Sequence, residues 1–412
     1  MKKKICSSTV KGTVQAPASK SVAQRAIALA ALAEGISTIK NVGSSDDVLA
    51  TINVCKRLGA EISGNHKLLT VKGGLKSPTE ALNCGESGLC IRMLSPIVAT
   101  LDSSVVMTGE RTLKKRPMQM IADSLTQLGA TCLTNNGFLP FKIKGPIKGG
   151  KINIDGSISS QVLTGLLMAA PFAETDTLIK VDNLKSTPYI DLTISIMQDF
   201  GVDVTNINYE KFVIKASQKY RSVNYEVEGD WSGAAFLLVA GAIAGEIEVT
   251  NLSPNSYQAD RAIIEALKLA GADVVIKQNS VKVLKNSLVG FSFDATNCPD
   301  LFPPLVALAA HCQGKTTIIG SDRLKNKESD RATTLKQEFG KLGIKIELAN
   351  NAMTIYGAKP KSGSLFSHDD HRIVMACATA ALSGNCTVEI ENAEAVNKSY
   401  PNFFDDLKTI TQ

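Results

Sequence analysis

The order of apolar and polar positions alternates between helix-like and strand-like stretches, with a period of about seventy residues. Five times a helical pattern ends in an apolar residue and a glycine, and a short stretch rich in β-branched residues follows. These glycines are 70 or 72 residues apart: Gly59, Gly129, Gly201, Gly271 and Gly343. Glycine enters the left-handed conformation after the last helical turn at little cost, so each of them predicts a helix end.

A second marker is an alanine-rich helix, a turn of small residues and then a strand. It occurs as ALAEGISTIKNV, IVATLDSSVVMTG, PFAETDTLIKVDN, VAGAIAGEIEVTN, LAAHCQGKTTIIG and AALSGNCTVEIEN. Six copies in 412 residues correspond to a period of about 69. The chain is therefore predicted to contain six α/β units. Because its length exceeds what one hydrophobic core usually serves, two domains are expected.

The residues that open the alanine-rich helices are polar and recur at the same spacing. These openings are residues 19–25, 85–92, 157–163, 229–236, 298–305 and 369–376. Asp230, Asp300 and Asp370 follow one another at intervals of 70 residues. Because serine and aspartate are favoured where a helix begins, Ser159 and Asp230 fit ordinary helix caps as well as a binding site.

Cations near the same helix starts need another explanation. Lys20, Arg25, Arg92 and Arg372 lie in these openings, where positive charge opposes the helix dipole. An anion held between the helix start and the side chain would make this placement favourable, since the N–H groups of a helix start bind anions. Equivalent ends of six repeats should point the same way, so the pattern predicts a shared cleft for more than one phosphate or carboxylate.

Composition narrows the class of protein and of ligand. With 44% hydrophobic and 20% charged residues, the chain is typical of soluble globular proteins. A net charge of +6 is too small to indicate a nucleic-acid partner, but it suits small anionic ligands if the surplus is concentrated. No apolar run reaches the roughly 18 residues of a membrane span, and the basic start lacks the apolar core of a secretory signal. The nine cysteines contain no CxxC pair, which predicts reduced thiols in a cytoplasmic protein.

Familiar cofactor motifs do not occur in the sequence. It contains neither the GxxxxGK(S/T) loop of ATP-binding proteins nor a GxGxxG dinucleotide fingerprint after a strand. His368, Asp369, Asp370 and His371 resemble a set of metal ligands, but the chain has only four histidines. We favour the interpretation that His371 positions a neighbouring group by hydrogen bonding, and we expect no cofactor and no metal.

Residues 324–331, LKNKESDR, place five charged side chains within seven positions. Glu328 and Lys327 both lie at helical neighbour spacing from Arg331, and Glu328 has the opposite charge that an ion pair requires. Taken alone, the stretch fits either a solvated helix face or a set of charges that holds a charged substrate.

Taken in order, the polar motifs of the chain resemble those of 5-enolpyruvylshikimate-3-phosphate (EPSP) synthases. The matching motifs are SKSVAQR, GESGLCIR, KKRP, DGSISSQ, KSTPYIDLT, KESDR, DDHR and NKSYPNFF, and they extend over essentially the whole chain. The resemblance implies an α/β fold, the enolpyruvyl transferase fold, with two inside-out α/β barrels of three βαβαββ repeats each. It also implies a C-terminal domain of residues 1–17 and 228–412, an N-terminal domain of residues 18–227, and hinges near 14–18 and 226–229.

The same resemblance implies an activity. The enolpyruvyl group of phosphoenolpyruvate (PEP) would be transferred to the 5-hydroxyl of shikimate 3-phosphate, with release of phosphate, in the shikimate pathway to chorismate and aromatic amino acids. This transfer breaks a carbon–oxygen bond and needs neither ATP nor an obligatory metal. Phosphates and a carboxylate must be held together, so cations have to cancel their repulsion. We expect a monomeric cytoplasmic enzyme whose partners are these two small molecules, with no nucleic acid and no membrane.

Site residues follow from the resemblance by motif position. Shikimate 3-phosphate would be bound by Lys20, Ser21, Arg25, Ser159, Ser160, Gln161, Ser186, Asp300 and Lys327, with Tyr189 nearby. PEP would be bound by Lys20, Gly88, Arg116, Gln161, Arg331, Arg372 and Lys398. Arginine suits such positions because its planar fork pairs with a carboxylate or phosphate through two hydrogen bonds.

Proton transfer is expected to involve Asp300, Lys327 and Glu328. The methylene carbon of PEP must gain a proton and later lose one, and the attacking hydroxyl must lose its own. A carboxylate beside a lysine in a dry cleft can have a pKa closer to neutrality, as general acid–base catalysis requires. We assign the methylene proton to Glu328 and hydroxyl activation to Asp300, with Lys327 assisting. Because coupled groups titrate together, the division among the three stays open.

One segment departs from the family pattern. Where many relatives carry asparagine in a GNxGT segment, this chain has Glu86 and Leu89. A carboxylate near a PEP site is unfavourable unless it is paired, and Arg92 or Lys115 could supply the partner.

Two alternative functions remain open from the sequence. The first is UDP-N-acetylglucosamine enolpyruvyl transferase, which usually carries a reactive cysteine in the loop corresponding to residues 109–117, where this chain has none. The second is a nucleic-acid-binding or RNA-end-processing repeat protein. Such a protein would need a basic stripe with exposed aromatic residues, whereas aromatic residues make up only 5% of this chain.

Overall fold

The computed structural model describes residues 1–157 and 159–412; Ile158, inside the predicted helix opening at 157–163, lies outside the described residues. The helices in this part of the chain are α1 (Lys20–Leu32), α2 (Asp46–Arg57), α3 (Gly88–Val98), α4 (Gln119–Gln127), α5 (Ser160–Ala169), α6 (Thr187–Asp199), α7 (Trp231–Ala244), α8 (Ile263–Leu269), α9 (Phe302–Ala310), α10 (Arg331–Lys341), α11 (His371–Ala380) and α12 (Phe403–Ile410). The first strands are β1 (Lys2–Cys6), β2 (Val10–Gln15), β3 (Ile36–Lys40), β4 (Glu61–Asn65), β5 (Leu68–Lys72), β6 (Leu82–Asn83), β7 (Ser104–Thr108), β8 (Thr131–Asn135), β9 (Phe138–Lys144), β10 (Gly150–Asp155), β11 (Thr177–Asp182) and β12 (Thr205–Ile207). The remaining strands are β13 (Lys211–Ile214), β14 (Asn224–Glu226), β15 (Gly245–Thr250), β16 (Asp273–Ile276), β17 (Ser280–Leu284), β18 (Ser292–Asp294), β19 (Lys315–Ile319), β20 (Lys345–Ala349), β21 (Ala352–Tyr356), β22 (Gly363–Phe366) and β23 (Thr387–Glu391).

The odd-numbered helices are the predicted alanine-rich ones, and they form the cores. Every residue of α3, α7, α9 and α11 is buried, as expected of a helix that is apolar on all sides. Each odd-numbered helix is followed by a strand, namely β3, β7, β11, β15, β19 and β23. The prediction of six helix–turn–strand units is confirmed.

Helices α2, α4, α6, α8 and α10 are more exposed than the odd-numbered helices and end where the five glycines predict. In α2, for example, fewer than half of the residues are buried, and its polar residues form an exposed face. Gly59, Gly129, Gly201, Gly271 and Gly343 have φ angles between 81° and 99°. This is the left-handed region that glycine enters without a steric penalty, so the five predicted helix ends are confirmed.

The strands in the described part of the chain form six sheets. Their strand orders are β14-β3-β5-β4, β6-β7-β9-β8, β10-β11-β13-β12, β16-β17-β15-β2, β18-β19-β21-β20 and β1-β23-β22. In four sheets the strands that flank an odd-numbered helix pair in parallel, as in an ordinary strand–helix–strand unit. The other two sheets exchange their first strands. β2 precedes α1 but pairs with β15, the strand after α7, and β14 precedes α7 but pairs with β3, the strand after α1.

The exchange follows the division of the chain into two compact units. Ala18–Val227 forms one unit, called the N-terminal unit below. Met1–Pro17 and Glu228–Gln412 together form the other, called the C-terminal unit. Each unit contains three of the six repeats, and β1 completes the last repeat of the C-terminal unit by pairing antiparallel to β23.

The cysteines and the helix lengths agree with what the sequence predicts. All nine cysteines are free, and seven of them are buried. Among the described residues, no helix combines the length and the apolar character that crossing a membrane requires.

Substituting a glycine in α5 tests how closely the buried helices α5 and α3 pack. A Cβ at Gly165 would lie 2.4 Å from the carbonyl oxygen of Met93 on α3, whereas a Cβ at Gly340 on α10 meets nothing within 4 Å. We expect Gly165→Ala to lower the free energy of unfolding by about 1–3 kcal/mol through overpacking. Gly340→Ala should raise it by about 0.4–1 kcal/mol, because alanine reduces the entropy of the unfolded chain. Urea unfolding followed by circular dichroism measures both, and equal effects of the two variants would contradict the packing of α5 on α3.

Candidate functional site

Three helix starts come together in the N-terminal unit. Gln24 on α1 donates a hydrogen bond from Nε2 to Oγ of Ser87, the N-cap of α3, at 2.9 Å. Arg92 on α3 donates from Nη1 to Oε1 of Gln161 on α5 at 3.0 Å. The starts of α1, α3 and α5 therefore lie on one side of this unit, as the repeat predicted. The cations there, called the N-terminal cluster below, are Lys20, Arg25, Arg92 and Arg116.

Arg25 is a fully buried member of the N-terminal cluster. Its guanidinium donates to Oγ1 of Thr193 (2.9 Å), Oγ1 of Thr164 (3.3 Å) and the carbonyl oxygens of Ser21 (2.9 Å) and Tyr189 (3.4 Å). All four acceptors are neutral, so within the described part of the chain no carboxylate balances this charge. Burial lowers the pKa of Arg25 to about 10, and a buried cation without a counter-charge costs several kcal/mol, roughly. A bound anion would offset that cost.

Lys20, the first residue of α1, is held by an aspartate. Its Nζ lies 2.9 Å from Oδ2 of Asp47 in the first turn of α2, and both side chains are largely buried. The carbonyl oxygen of Asp47 also accepts a hydrogen bond from Nε2 of Gln24 at 2.9 Å. Asp47 therefore fixes the starts of α1 and α2 against each other and orients the ammonium group.

Gly88 stands between two arginines at the start of α3. A Cβ there would lie 2.6 Å from Nη1 of Arg116 and 2.9 Å from Nη1 of Arg92. Arg92 also donates from Nη2 to the carbonyl oxygen of Pro117 at 3.3 Å, which holds the segment that carries Arg116. Two guanidinium groups thus reach a helix start whose N–H groups favour an anion, and only glycine leaves room for their approach.

Glu86, the departure from the family pattern, is paired within its own neighbourhood. Its Oε2 accepts a hydrogen bond from Oγ1 of Thr112 at 2.8 Å, and its Oε1 lies 3.8 Å from Nη1 of the exposed Arg111. The sequence suggested Arg92 or Lys115 as partners, and the structure adds these two. The carboxylate is held by a loop that precedes the Arg116 segment.

The predicted phosphate-binding serines lie at two helix starts of the same unit. Ser159 caps α5, since its Oγ accepts from the backbone N–H two residues later at 3.2 Å, and Ser160 begins the helix. Ser186 is buried and precedes α6 with a φ of 58°. Because the carbonyl of Tyr189 on α6 binds Arg25, the ends of α5 and α6 face the same guanidinium.

The C-terminal unit also brings three helix starts together. Oγ of Ser232 in the first turn of α7 accepts a hydrogen bond from Nη2 of Arg372 on α11 at 3.0 Å. The same Nη2 lies 3.3 Å from Oδ2 of Asp300, which belongs to the 3₁₀ turn Pro299–Leu301 ahead of α9. Asp230 and Asp370 cap α7 and α11, whereas Asp300 directs its carboxylate at the cations. The C-terminal cluster, as the term is used below, consists of Lys327, Arg331, Arg372, Asp300, Glu328 and Asp370.

Arg331 is the centre of the C-terminal cluster and is completely buried. It donates from Nε (2.9 Å) and Nη2 (3.2 Å) to the two oxygens of Asp370, and from Nη1 to Oδ1 of Asp300 at 2.9 Å. Nη2 also donates to Oε2 of Glu328 at 2.6 Å. Because α10 begins at Arg331 and this side chain points inward, the LKNKESDR stretch is not a solvated helix face.

Asp300 and Lys327 have pKa values shifted by the same contacts. Burial alone would raise the pKa of Asp300, but Arg372, Lys327 and Arg331 hold it well below its usual range. Nζ of Lys327 lies 3.2 Å from Oδ1 of Asp300. Burial lowers the pKa of Lys327, although Asp300 acts in the opposite direction. At neutral pH Asp300 is therefore ionised, and Lys327 loses a proton more easily than a free lysine.

The formal charges of the C-terminal cluster cancel. It has three cations and three carboxylates, whose pairs are 2.6 to 3.3 Å apart. A further anion gains little there unless a carboxylate takes up a proton or another cation is added. Lys398, the other cation predicted for PEP, is 5% exposed and ends the 3₁₀ turn Ala393–Lys398, which packs on α11.

The histidines weighed as metal ligands have other neighbours. Nε2 of His368 lies 2.7 Å from Oε1 of the buried Glu338, and Nδ1 of His371 lies 3.8 Å from Oδ1 of Asp370. Within residues 1–157 and 159–412, no three His, Cys, Asp or Glu side chains are gathered in a way that could hold a metal ion. His368 thus ties the segment before α11 to α10.

The sequence did not reveal which groups hold the cations in place. Asp47 orients Lys20, the Thr164–Thr193 pair binds Arg25, and Asp370 binds Arg331 through both oxygens. The seventy-residue spacing from Asp300 to Asp370 was a usable signal for one of them. The other groups occupy positions that follow no repeat, so their roles become visible only in three dimensions.

A family model, curated relatives and a solved structure agree on one family. The family model described as EPSP synthase (3-phosphoshikimate 1-carboxyvinyltransferase) matches residues 6–407. A 3-phosphoshikimate 1-carboxyvinyltransferase of Methanococcus vannielii is 39% identical, with 98% of this chain and 97% of that relative covered. One from Clostridium novyi is 38% identical, with coverages of 99% and 97%. A solved EPSP synthase structure from Acinetobacter baumannii superposes with a TM-score of 0.85 at 29% identity, covering 100% of this chain and 98% of that one.

The unbalanced charge of Arg25 leads to a testable prediction about anions. We expect inorganic phosphate to raise the thermal unfolding midpoint of the wild-type protein, since a ligand at ten times its dissociation constant stabilises by about 1.4 kcal/mol. Arg25→Met should abolish this effect and leave the phosphate-free protein as stable or up to about 1 kcal/mol more stable, because an apolar side chain replaces a buried charge. Differential scanning fluorimetry with and without phosphate measures both.

A matched control is Arg57→Met, which removes an exposed arginine paired with Glu80. It should keep the response to phosphate. If Arg25→Met kept the response as well, the anion would bind elsewhere and the charge argument for Arg25 would be wrong.

Proposed function

Because the chain belongs to the EPSP synthase (3-phosphoshikimate 1-carboxyvinyltransferase) family, we propose that it transfers the enolpyruvyl group of PEP to the 5-hydroxyl of shikimate 3-phosphate and releases phosphate. The observation that carries this function is the convergence, in each unit, of three helix starts with lysine and arginine side chains. Both reactants are anions, and helix starts and guanidinium groups are the protein's strongest ligands for phosphate and carboxylate.

Shikimate 3-phosphate binds mainly to the N-terminal unit. Arg25 supports this assignment, because its buried charge has only neutral acceptors and a phosphate group would balance it. Ser159, Ser160 and Ser186 lie at the starts of α5 and α6 and add hydroxyl and backbone donors. Gln161, held by Arg92, lies beside the ring. Ser21, Lys20, Asp300 and Lys327 complete the predicted set.

The residues predicted to bind PEP belong to both units of the chain. In the N-terminal unit, Arg116 and the amide groups around Gly88 offer donors to a phosphate or carboxylate, and Lys20 adds charge. In the C-terminal unit, Arg372, Arg331 and Lys398 take part. Four hydrogen bonds already occupy four of the five N–H groups of Arg331. Arg331 therefore contributes one further donor and its charge, whereas Arg372 makes three hydrogen bonds and has two N–H groups left.

The charge balance of the C-terminal cluster supports Glu328 as the acid. When PEP brings negative charge next to a cluster that is already neutral, protonation of one carboxylate becomes favourable. Glu328 is one of these carboxylates, and its Oε2 lies 2.6 Å from Nη2 of Arg331. It therefore takes the proton that it later gives to the methylene carbon of PEP and removes again when phosphate leaves.

Asp300 accepts the proton of the 5-hydroxyl with help from Lys327. In the ligand-free protein its pKa is too low for this, because three cations surround it. Once PEP binds Arg372 and Lys327, its negative charge offsets part of their positive charge, and the pKa of Asp300 rises. Lys327 then donates to the developing charge, which its burial-lowered pKa favours.

We further propose that the protein works in the cytoplasm as a monomer, with no nucleic-acid or membrane partner. Nine free thiols, seven of them buried, suit a reducing compartment. Each cluster is built from side chains of one unit of one chain, so a second copy is not needed to form either. Light scattering after gel filtration measures the assembly state.

The decisive test is phosphate release with both substrates present, and then with each alone. We expect release to require both PEP and shikimate 3-phosphate, to need no ATP and to persist in a chelator, because the chemistry assigned here uses only side chains. Release from PEP alone would indicate a phosphatase, and loss of activity in the chelator would restore the metal alternative at His368.

A pair of neighbouring lysines tests the catalytic cluster. Lys327→Met should reduce kcat by about 10²–10⁴-fold, the range typical for loss of a proton-transfer group, while circular dichroism stays unchanged. Lys325→Met is the control, because Lys325 is exposed and lies two positions away. Equal rates for both variants would remove Lys327 from the mechanism.

A further inference from the structure

A buried aspartate outside the predicted site is linked to Arg372 through one hydroxyl. Asp260 lies in the 3₁₀ turn Ala259–Ala262 and is 1% exposed. Its Oδ2 accepts a hydrogen bond from Oγ of Ser232. Oγ of Ser232 in turn accepts from Nη2 of Arg372 at 3.0 Å, and this nitrogen lies 3.3 Å from Oδ2 of Asp300. The hydrogen-bonded series Asp260–Ser232–Arg372–Asp300 connects a carboxylate with no assigned role to the proposed base.

The direction in which the hydroxyl proton of Ser232 points decides whether this series of hydrogen bonds can form. Ser232 has one hydroxyl proton, and Arg372 can only donate. The oxygen of Ser232 can accept from Arg372 only when its own proton points away, toward Asp260. An ionised Asp260 accepts that proton and leaves the lone pairs of Ser232 facing the guanidinium. Without an acceptor at position 260, the hydroxyl can rotate and present its proton to Arg372 instead.

We propose that Asp260 is a positioning residue for Arg372, which it holds through Ser232 in the orientation that presents the remaining N–H groups of the guanidinium to PEP. This inference rests on the proposed function, because it assigns a PEP contact to Arg372. Asp260 does not touch the reactants itself. It acts by fixing one rotamer of a hydroxyl and therefore one position of a guanidinium, which is the kind of support that a binding group needs in order to be preorganised.

The charges around Asp260 make this support dependent on pH. Burial and the neighbouring Asp300 raise the pKa of Asp260 to about 6, Asp230 adds to the effect, and Arg372 opposes it. Cys298, which also faces Asp260, has its pKa raised by burial and stays a neutral thiol. Below about pH 6 Asp260 therefore takes up a proton and becomes a weaker acceptor for the proton of Ser232, so its support of Arg372 weakens without being lost.

Two substitutions separate the acceptor of Asp260 from its charge. Asp260→Ala removes the acceptor, and we expect the KM for PEP to rise about tenfold with a much smaller change in kcat, the pattern of a lost binding interaction. Asp260→Asn keeps an oxygen acceptor without the charge, so it should restore the KM for PEP to within about threefold of wild type. An unchanged KM in Asp260→Ala, or no rescue by Asp260→Asn, overturns the proposal. If Asp260→Ala does not fold, Ser232→Ala takes its place and should give the same rise in KM.

A second measurement needs neither substrate nor activity. Trp231, the only tryptophan of the chain, is buried, and its backbone N–H donates to Oε1 of Gln258 at 3.1 Å, two residues before Asp260. We expect its fluorescence in the ligand-free protein to change with an apparent pKa near the value of about 6 given above. Asp260→Asn should abolish that transition, and the exposed control Asp273→Asn should keep it.

These two measurements distinguish the failure of the inference from the failure of the proposed function. If the wild-type protein releases no phosphate from the two substrates, the function is wrong, whatever the fluorescence shows. If it is active and the transition persists in Asp260→Asn, Asp260 does not titrate in this range and the pH-dependent support of Arg372 is wrong.

Discussion

Balancing buried positive charge is the constraint on which this structure depends. The cores consist of helices that are apolar on all sides, such as α7 and α11, so polar chemistry is confined to their ends. Gathering three helix starts in each unit concentrates partial positive charge, and lysine and arginine side chains add to it. Such an arrangement is stable only when carboxylates, neutral oxygen acceptors or bound anions satisfy the cations.

The two clusters meet this constraint in different ways. In the N-terminal unit Arg25 is surrounded by hydroxyl and carbonyl oxygens, which satisfy its hydrogen bonds but not its charge. In the C-terminal unit Arg331 is enclosed by three carboxylates that cancel its charge and those of its neighbours. A cation without counter-charge is suited to holding an anion, whereas a balanced cluster can shift protons when an anion arrives. Under the proposed function, this difference assigns anion binding mainly to the N-terminal cluster and proton transfer to the C-terminal cluster.

Much of the fold could be predicted from the sequence, because its signals are local. The five helix-ending glycines and the six alanine-rich helices depend on conformational preference and burial within a few residues. The pairing of β1 with β23 could not be predicted, since nothing in the segment KKKIC indicates a partner almost four hundred residues away. The same limit applies to the site. The cations stood out because they contradict the helix dipole, but Asp47 and Asp260 look like ordinary helix-start acids until their partners are known.

The exchange of β2 and β14 determines the order in which the two units can fold during synthesis. β14 closes the first sheet of Ala18–Val227, so that unit has all its strands as soon as its own last residue has left the ribosome. β2 leaves the ribosome earlier, yet its partner β15 is made more than two hundred residues later. The segment that carries β2 must therefore wait, unpaired, while a complete neighbouring unit folds behind it. A ribosome that stalls after residue 227 would carry one finished unit and two unpaired β-strands, β1 and β2, whose open edges favour aggregation.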